Sequence, residues 1–501
     1  MKKLIILGSL LGALVSLNSC RDEFLESEPT ETLANPDAQS KLNGLYLMMV
    51  NTETGGTKNH DDFGQKGYDI YSDLLSSDMV LSAETYGWYS QFSRLNGTAD
   101  YTNQVNYKPW RYYYRIAYAA NDVIAGLGGN DATVTNVNDK YAMGQAKAMR
   151  AYAYFNLMQF YTPAYDASGD GVPLYTSTSV AAQPTAKQSE VYAQIIKDLN
   201  EAVALLEGYS RPNKGVVNKF VAEGLLAYAY AATGDYTNAA KASLDIVQKG
   251  GFPLTKKEQA YDPSFQKGGF NNIHTESWMW GFDITEANDL SLVSWWGQAD
   301  IFTYSYAAVG DYKSIDLNLW AEIPSYDVRK NQFVTVTENK DGSLKLSDAD
   351  QPGDYEAVPA NKFYTPQREI QGQRNIVTDY VFMRVDEFYL LAAESLAKTG
   401  QEAQAKIVLK ELLAERYSDS SKLALIDTLS GAALLKEINF QTRIELWGEG
   451  KSYYALKRNR GTINRGPNHL YFVGQQIPYN DKRLYLKIPQ AEINNNPHIS
   501  N

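Results

Sequence analysis

The stretch that most constrains this chain is residues 379–417, DYVFMRVDEFYLLAAESLAKTGQEAQAKIVLKELLAERY. Its apolar side chains fall at Phe382, Val385, Tyr389, Ala392 and Leu396, steps of three or four that draw one stripe along a helix, before Gly400 breaks the run. A second stripe follows through Ala405, Leu409 and Leu412. Two helices joined by so short a turn pack antiparallel, and small Ala393 and Ala405 let their axes approach closely. The spacing predicts a helical hairpin.

A weaker copy occupies 217–250, where Ala227, Tyr230, Gly234, Asp235, Tyr236 and Ala239 stand at the offsets of Ala393, Leu396, Gly400, Gln401, Glu402 and Ala405. The pattern resembles the tetratricopeptide repeat, whose hairpins bury their faces only by stacking on one another and so serve as scaffold. Helical periodicity also marks 38–49, 69–75, 105–127, 140–161, 189–206 and 432–458, whereas 76–101 is rich in Gly, Ser and aromatics with no steady period and reads as loops. From 251 to 378 the helical signal fades into short alternating runs, including Phe333-Val334-Thr335-Val336 before Glu338-Asn339-Lys340-Asp341-Gly342-Ser343, a hairpin signature. The expected architecture for 38–501 is mainly α: a tetratricopeptide-like helical-hairpin scaffold over about 38–250 and 379–460, carrying an irregular, partly β insertion over about 251–378.

The chain opens with Lys2, Lys3 and an apolar run over 4–17, too short to span a bilayer comfortably, then Leu17-Asn18-Ser19-Cys20. This predicts a secretory leader over 1–19. Cys20, the only cysteine in the chain, sits where the segment resembles a bacterial lipobox, so lipid attachment there is expected, followed by an acidic tether over 20–37. No later apolar run is long enough to cross a membrane, which leaves lipid as the expected anchor. Without Lys2 and Lys3 the chain carries 45 basic and 58 acidic residues, a net charge of −13 that disfavours nucleic acid as a partner. The four histidines, His60, His274, His469 and His498, are scattered, which argues against a histidine-built metal centre or a serine triad; no metal or cofactor is expected.

The composition is richest in aromatics, with 37 Tyr and 8 Trp. Sugar rings present C–H faces that stack on indole and phenol planes, while their hydroxyls need polar side chains at the rim. Two stretches outside the helices offer that mixture: Tyr86, Trp88 and Tyr89 with Arg94 and Asn96, and Trp295, Trp296 and Gln298 followed by Tyr304 and Tyr306. Core packing is the commoner fate of tryptophan, and one of Trp295 and Trp296 is expected to plug a gap against the scaffold. Trp278 and Trp280 alternate as one buried face of a strand, and Trp320 and Trp447 read as core. The run 166–171 matches half of a calcium loop, but Ser177 stands where the bidentate glutamate belongs, so it reads as a turn before a strand. His60-Asp61-Asp62 reads as a solvated loop.

Taken together, the chain resembles the SusD/RagB-like outer-membrane lipoproteins of Bacteroidetes over nearly its full length. The likeness rests on Cys20 with Asp22, Phe24, Leu25 and Pro29, on Ala146-Lys147-Ala148-Met149-Arg150-Ala151-Tyr152 with Gly171-Val172-Pro173-Leu174, and on Glu190-Val191-Tyr192 before Asp198-Leu199. It continues through Arg384, Glu387 and Ala393-Glu394, then Arg443, Glu445-Leu446 and Glu449-Gly450, to Ile488-Pro489-Gln490-Ala491-Glu492-Ile493 with Asn496-Pro497. Where the family has an arginine and an aspartate three apart, this chain has Ser452 and Ala455, an exchange expected to remove one ion pair as a unit and leave no unpaired buried charge. Asp22-Glu23 behind the cysteine is similar to the acidic signal that sends such lipoproteins to the cell surface.

The resemblance implies a lipid-anchored protein at the outer face of the outer membrane. Such a protein binds oligomeric nutrient, most often glycan, for a SusC-like TonB-dependent transporter, and has no catalytic residues to carry over. Other readings stay open: a peptide or glycoprotein ligand, a surface glycosidase built on two of the 58 scattered acids, or a pure assembly scaffold.

Overall fold

The computed structural model describes residues 36–500. The predicted leader, Cys20, Asp22-Glu23 and the tether up to residue 35 lie outside the described residues. The longer helices are α1 (Ala38–Leu47), α2 (Gln65–Ser76), α3 (Gln104–Gly126), α4 (Val137–Tyr161), α5 (Gln188–Leu205), α6 (Lys219–Thr233) and α7 (Tyr236–Lys249), then α8 (Asp386–Lys398), α9 (Glu402–Ala414), α10 (Gly431–Glu445) and α11 (Ser452–Arg458). Each of α3 to α9 packs on the next, so the stack is continuous although 136 residues separate α7 from α8.

Local chemistry sets the ends of these helices. Asn103, Asn136, Asn218 and Asp235 each turn a side-chain oxygen onto the free backbone N–H groups of the first turn of α3, α4, α6 and α7. In both repeat copies the break is a left-handed glycine, Gly234 at φ 83° and Gly400 at φ 79°. The next N–H reaches back along the helix, Asp235 to the Tyr230 carbonyl (2.9 Å) and Gln401 to that of Leu396 (2.8 Å), the same C-terminal cap twice. Ala227, Ala239, Ala393 and Ala405 are all fully buried between the helices. The predicted helical-hairpin scaffold is present in both places.

The first part of the organising stretch is different. Residues Tyr380–Arg384 form a strand, paired antiparallel with Trp278–Phe282, and the helix begins only at Asp386. Tyr380, Val381, Phe382 and Met383 are buried on both faces, so their branched and aromatic side chains gain more from a paired, two-sided strand than from one more helical turn. This pair clasps the insertion where it leaves and re-enters the stack. Within the insertion the predicted hairpin forms between Val334–Glu338 and Leu344–Asp348, and Tyr355–Val358 adds to the other side of Val334–Glu338. The helical signal over 432–458 is carried by two helices, separated by the left-handed turn at Gly448 and Gly450.

A set of buried charges joins insertion to stack. Glu445 accepts from Arg384 Nη1 (2.7 Å), Arg329 Nη1 (2.7 Å) and Arg416 Nε and Nη2 (both 2.8 Å). Glu449 takes Arg384 Nε (2.7 Å) and Lys362 Nζ (3.0 Å); Asp386 takes Arg416 Nη2 (2.5 Å); Asp327 takes Arg329 Nη2 (2.5 Å). Four cations thus meet four carboxylates, all at least 96% buried. Burial alone would push Glu445 up, but Arg416 and Arg384 outweigh it and hold it well below the usual carboxylate range.

The exchange at Ser452 and Ala455 has not removed every unpaired acid. Asp73, beneath α11, accepts from the Gly450 N–H (3.1 Å) on one oxygen, while its other oxygen, one oxygen of Asp78 and Ser452 Oγ are buried without partners among the described residues. Burial, then the neighbouring Asp69 carboxylate, pushes Asp73 well above its ordinary value, against the Gly450 N–H and the Lys66 charge that draw it down.

Glu445→Gln should lower stability by about 3–5 kcal/mol, read as a fall in the denaturant midpoint, because three arginines lose their shared counter-charge. Glu394 gives a pH signature. Burial raises it, but Arg458 and Lys398 prevail and hold it at about 2. A carboxylate depressed on folding contributes stability that is complete above the unfolded value of about 4 and is lost as pH falls toward the folded value. Glu394→Gln should therefore flatten the fall in thermal midpoint between about pH 4 and pH 2.

Candidate functional site

After Met79–Leu81 (β1) the backbone stays tied to the insertion through Ser82 N–H on the Tyr312 carbonyl (3.0 Å) and Thr85 N–H on that of Gly310 (3.2 Å), and beyond Thr85 one side chain takes over. Asp311 accepts the N–H groups of Tyr86 (2.8 Å), Gly87 (3.4 Å) and Trp88 (3.2 Å). Gly87 at φ 75° and Tyr89 at φ 69° supply the left-handed turns that aim three successive N–H groups at one carboxylate. The indole of Trp88 is half-buried, with one side packed against the core. His60 stacks on it with ring centroids 5.2 Å apart and planes 13° from parallel, and Tyr306 stands edge-on at 6.1 Å. Tyr86, 60% exposed, meets Tyr306 edge-on at 5.3 Å, and His60 Nδ1 is hydrogen-bonded to the Tyr306 hydroxyl. Four rings from three separate loops form one patch.

Behind the patch, Lys313 Nζ donates to Gln298 Oε1 (2.6 Å) and to the Asp311 carbonyl (3.1 Å), and Gln298 Nε2 donates to the His60 carbonyl (3.3 Å). Burial draws the Lys313 amine down to about 7. Beside Trp88 opens a recess of about 350 Å³ rimmed by the side-chain amides Asn59, Gln91, Asn103 and Gln104, with Asn59 Nδ2 donating to Gln104 Oε1 (2.7 Å). Flat rings next to amides that both donate and accept suit a ligand with alternating C–H faces and hydroxyls.

The nominated residues separate clearly. Tyr86 and Trp88 lie at the patch, and Tyr306, not Trp295 or Trp296, is the insertion's contribution to it. Tyr89 is buried, packed edge-on to Tyr71. Arg94 pairs with Glu84 (2.8 Å) and lies over Tyr471, and Asn96 is exposed in the turn behind it. Tyr304 is 40% exposed, but the Arg374 guanidinium covers its ring at 4.1 Å.

Trp295, Trp296 and Gln298 need correction as ligand contacts. They sit on the short helix Trp295–Ala299 at 0–2% exposure and offer no face to solvent: Trp295 packs on Phe363 (4.5 Å) and Trp296 Nε1 donates to the Thr378 carbonyl (2.7 Å). Both tryptophans plug the insertion, where one was expected to. His60-Asp61-Asp62 is not a solvated loop either. Asp61 is ion-paired with buried Lys108 and accepts from Tyr71 (2.9 Å), and Asp62 accepts from Gly55 (2.7 Å) and Thr57 (3.0 Å). The run at 166–171 is a turn closed by Ser168 on Asp166 (3.0 Å), leading into Asp170–Pro173 (β2). Asp311 and Lys313 were missed, since nothing in a Gly-Asp-Tyr-Lys run signals which distant loop it will hold.

Comparison with known proteins follows the same outline. A family model described as starch-binding associating with outer membrane matches residues 23–232, and one described as SusD family matches 298–501. SusD-like protein P2 of Formosa agariphila is 24% identical over 515 residues, covering 97% of this chain and 96% of its own; the chain spans about half the length (49%) of another curated relative it matches. Among solved structures, a SusD superfamily protein from Bacteroides thetaiotaomicron superposes with a TM-score of 0.74 at 25% identity, over 92% of this chain and 98% of that one. Surface glycan-binding protein A from the same organism, in complex with laminarihexaose, shares the fold with a TM-score of 0.65 at 16% identity, over 92% and 97%.

Asp311→Ala should release the 86–88 segment while leaving the helical stack intact. The expected readout is much faster amide exchange at Tyr86 and Trp88, with a loss of stability of about 1–3 kcal/mol for the stranded donors.

Proposed function

The chain belongs to the SusD family, and we propose that it is a surface-anchored binding protein for neutral glycan, held at the outer membrane by lipid on Cys20 and working with a SusC-like TonB-dependent transporter. The observation that carries this reading is the ring patch. Tyr86, Trp88 and His60 present planar faces beside a recess rimmed by side-chain amides, and the patch is mounted on clamped loops over a stacked helical frame. Rigid rings recruit a sugar at low ordering cost, because the protein side has little freedom left to lose.

The carboxylates near the patch favour binding over hydrolysis. A glycosidase needs two acids facing each other across the sugar, one of them free to move a proton. Here Asp61 is paired with Lys108, Asp62 is saturated by backbone and hydroxyl donors, and Asp311 is spent on three N–H groups. Each holds the loops in place. Among the described residues no helix is long and apolar enough to cross a membrane.

Calorimetric titration with a panel of neutral glucan oligosaccharides, laminarihexaose among them, tests this. Trp88→Ala should weaken binding of the recognised member by about 1–3 kcal/mol, by analogy with other rings that stack on aromatics, and buried Trp296→Phe should leave it unchanged. Undiminished affinity in the Trp88 variant would sink the platform, and release of shortened sugars on prolonged incubation would sink the non-enzymatic reading.

A further inference from the structure

A larger recess, an open groove of about 700 Å³, runs along α3 and shares no lining residue with the one beside Trp88. Tyr107, Trp110, Tyr114 and Tyr118 follow one another on α3 at steps of three and four, the spacing of a single helical face. That face would ordinarily be covered, and Trp110 is buried, yet Tyr118 is 59% exposed and Tyr107 and Tyr114 are half-buried. Tyr114 and Trp110 are held firmly. The Tyr114 hydroxyl donates to the Pro173 carbonyl (2.7 Å), its ring stands edge-on to Tyr175 (5.9 Å), and Trp110 packs on Tyr114 (4.8 Å) and Tyr161 (4.9 Å).

Two exposed arginines are interleaved with the rings. Arg115 Nη1 donates only to the Thr54 carbonyl (2.8 Å), and the Arg111 side chain lies along Gly56, where an added Cβ would stand 2.4 Å from it. Neither has a carboxylate partner among the described residues. The acid that lines the groove, Glu492, is already engaged, taking Trp110 Nε1 (3.3 Å) on one oxygen and Asn496 Nδ2 (2.8 Å) on the other. In a chain of net charge −11, two unpaired guanidiniums one turn apart beside a ladder of rings call for an anionic group from the ligand.

We propose that this groove is a second binding site, for a segment of acidic polysaccharide whose sugars carry carboxylate or sulfate groups. Tyr114 and Tyr118, four residues apart, advance about 6 Å along the helix, on the scale of consecutive sugars in a chain, so two successive pyranose faces lie over these two rings while acid substituents meet Arg111 and Arg115. A neutral chain would leave the arginines idle, and a free inorganic anion would leave the rings idle. The carbohydrate class rests on the proposed function; the place and the charge preference rest on the groove alone.

The test titrates the full soluble protein with polygalacturonate, its methyl ester and dextran sulfate. Polygalacturonate or dextran sulfate should bind, increasingly weakly as salt rises, and the methyl ester should bind at least about tenfold less tightly than polygalacturonate. Arg111→Ala and Tyr118→Ala, both on the surface, should each weaken the acidic ligand at least about fivefold with unchanged thermal midpoints, while Trp88→Ala leaves it untouched. Equal binding of the methyl ester, indifference to both groove variants, or failure of both polyanions to bind would overturn the proposal. So would a polyglutamate peptide that binds the groove when neither polyanion does, since the partner would then be protein. Loss of neutral-glycan binding in the Trp88 variant alone reports on the first site and leaves the second standing.

Discussion

Glu445 faces three arginines at once, and that one carboxylate decides whether the rest of the molecule comes together. Taking eight charges out of water is costly, and the cost is recovered only when every partner is in position, because one missing acid strands cations in a medium that cannot solvate them. Asp327, Arg329 and Lys362 belong to the insertion, Asp386, Arg416, Glu445 and Glu449 to the helical stack, and Arg384 to the strand between them. Apolar surfaces could slide past one another at little penalty. Bidentate guanidinium–carboxylate bonds cannot, since a shift of an ångström breaks several. The insertion is thereby fixed in position as well as attached.

That fixed position matters about the ring patch. Trp88 and His60 arrive on loops near the start of the chain, and Tyr306 and Asp311 arrive on the insertion more than 200 residues later. Asp311 links the two parties directly, because its carboxylate accepts the N–H groups of Tyr86, Gly87 and Trp88. The same economy appears at Gln298, which ties a lysine of the insertion to the His60 carbonyl. Recognition surfaces on loops usually sacrifice order for reach; here buried polar bonds restore the order from behind.

Much of the frame was legible in the sequence because a helix writes its period locally. Gly234 and Gly400, with matched alanines on either side, mark two hairpins without help from any distant residue. Tyr380–Arg384 was misread as helix since a strand buried on both faces has no alternation to distinguish it from a short apolar helical turn. The site was half legible. Trp88 and Tyr86 could be nominated from ring content and lack of period, but Trp295 and Trp296 carry the same signature and are buried. What separates them is whether Phe363 and Thr378 come to cover them, a tertiary fact. Asp73 teaches a similar lesson, for the N–H that it accepts comes from Gly450, 377 residues away.

The pairing of Trp278–Phe282 with Tyr380–Arg384 brings the two ends of the intervening segment side by side, at the point where α7 already meets α8. Closing a segment at adjacent ends costs only a logarithm of its length, so the helical frame scarcely registers how many residues lie between. An ancestor could therefore exchange or enlarge everything beyond that two-stranded gate and keep its stack in register. The constraint would fall on the few ions that must still find Glu445 and Glu449. Diversification of what such a frame grips needs no redesign of the frame itself.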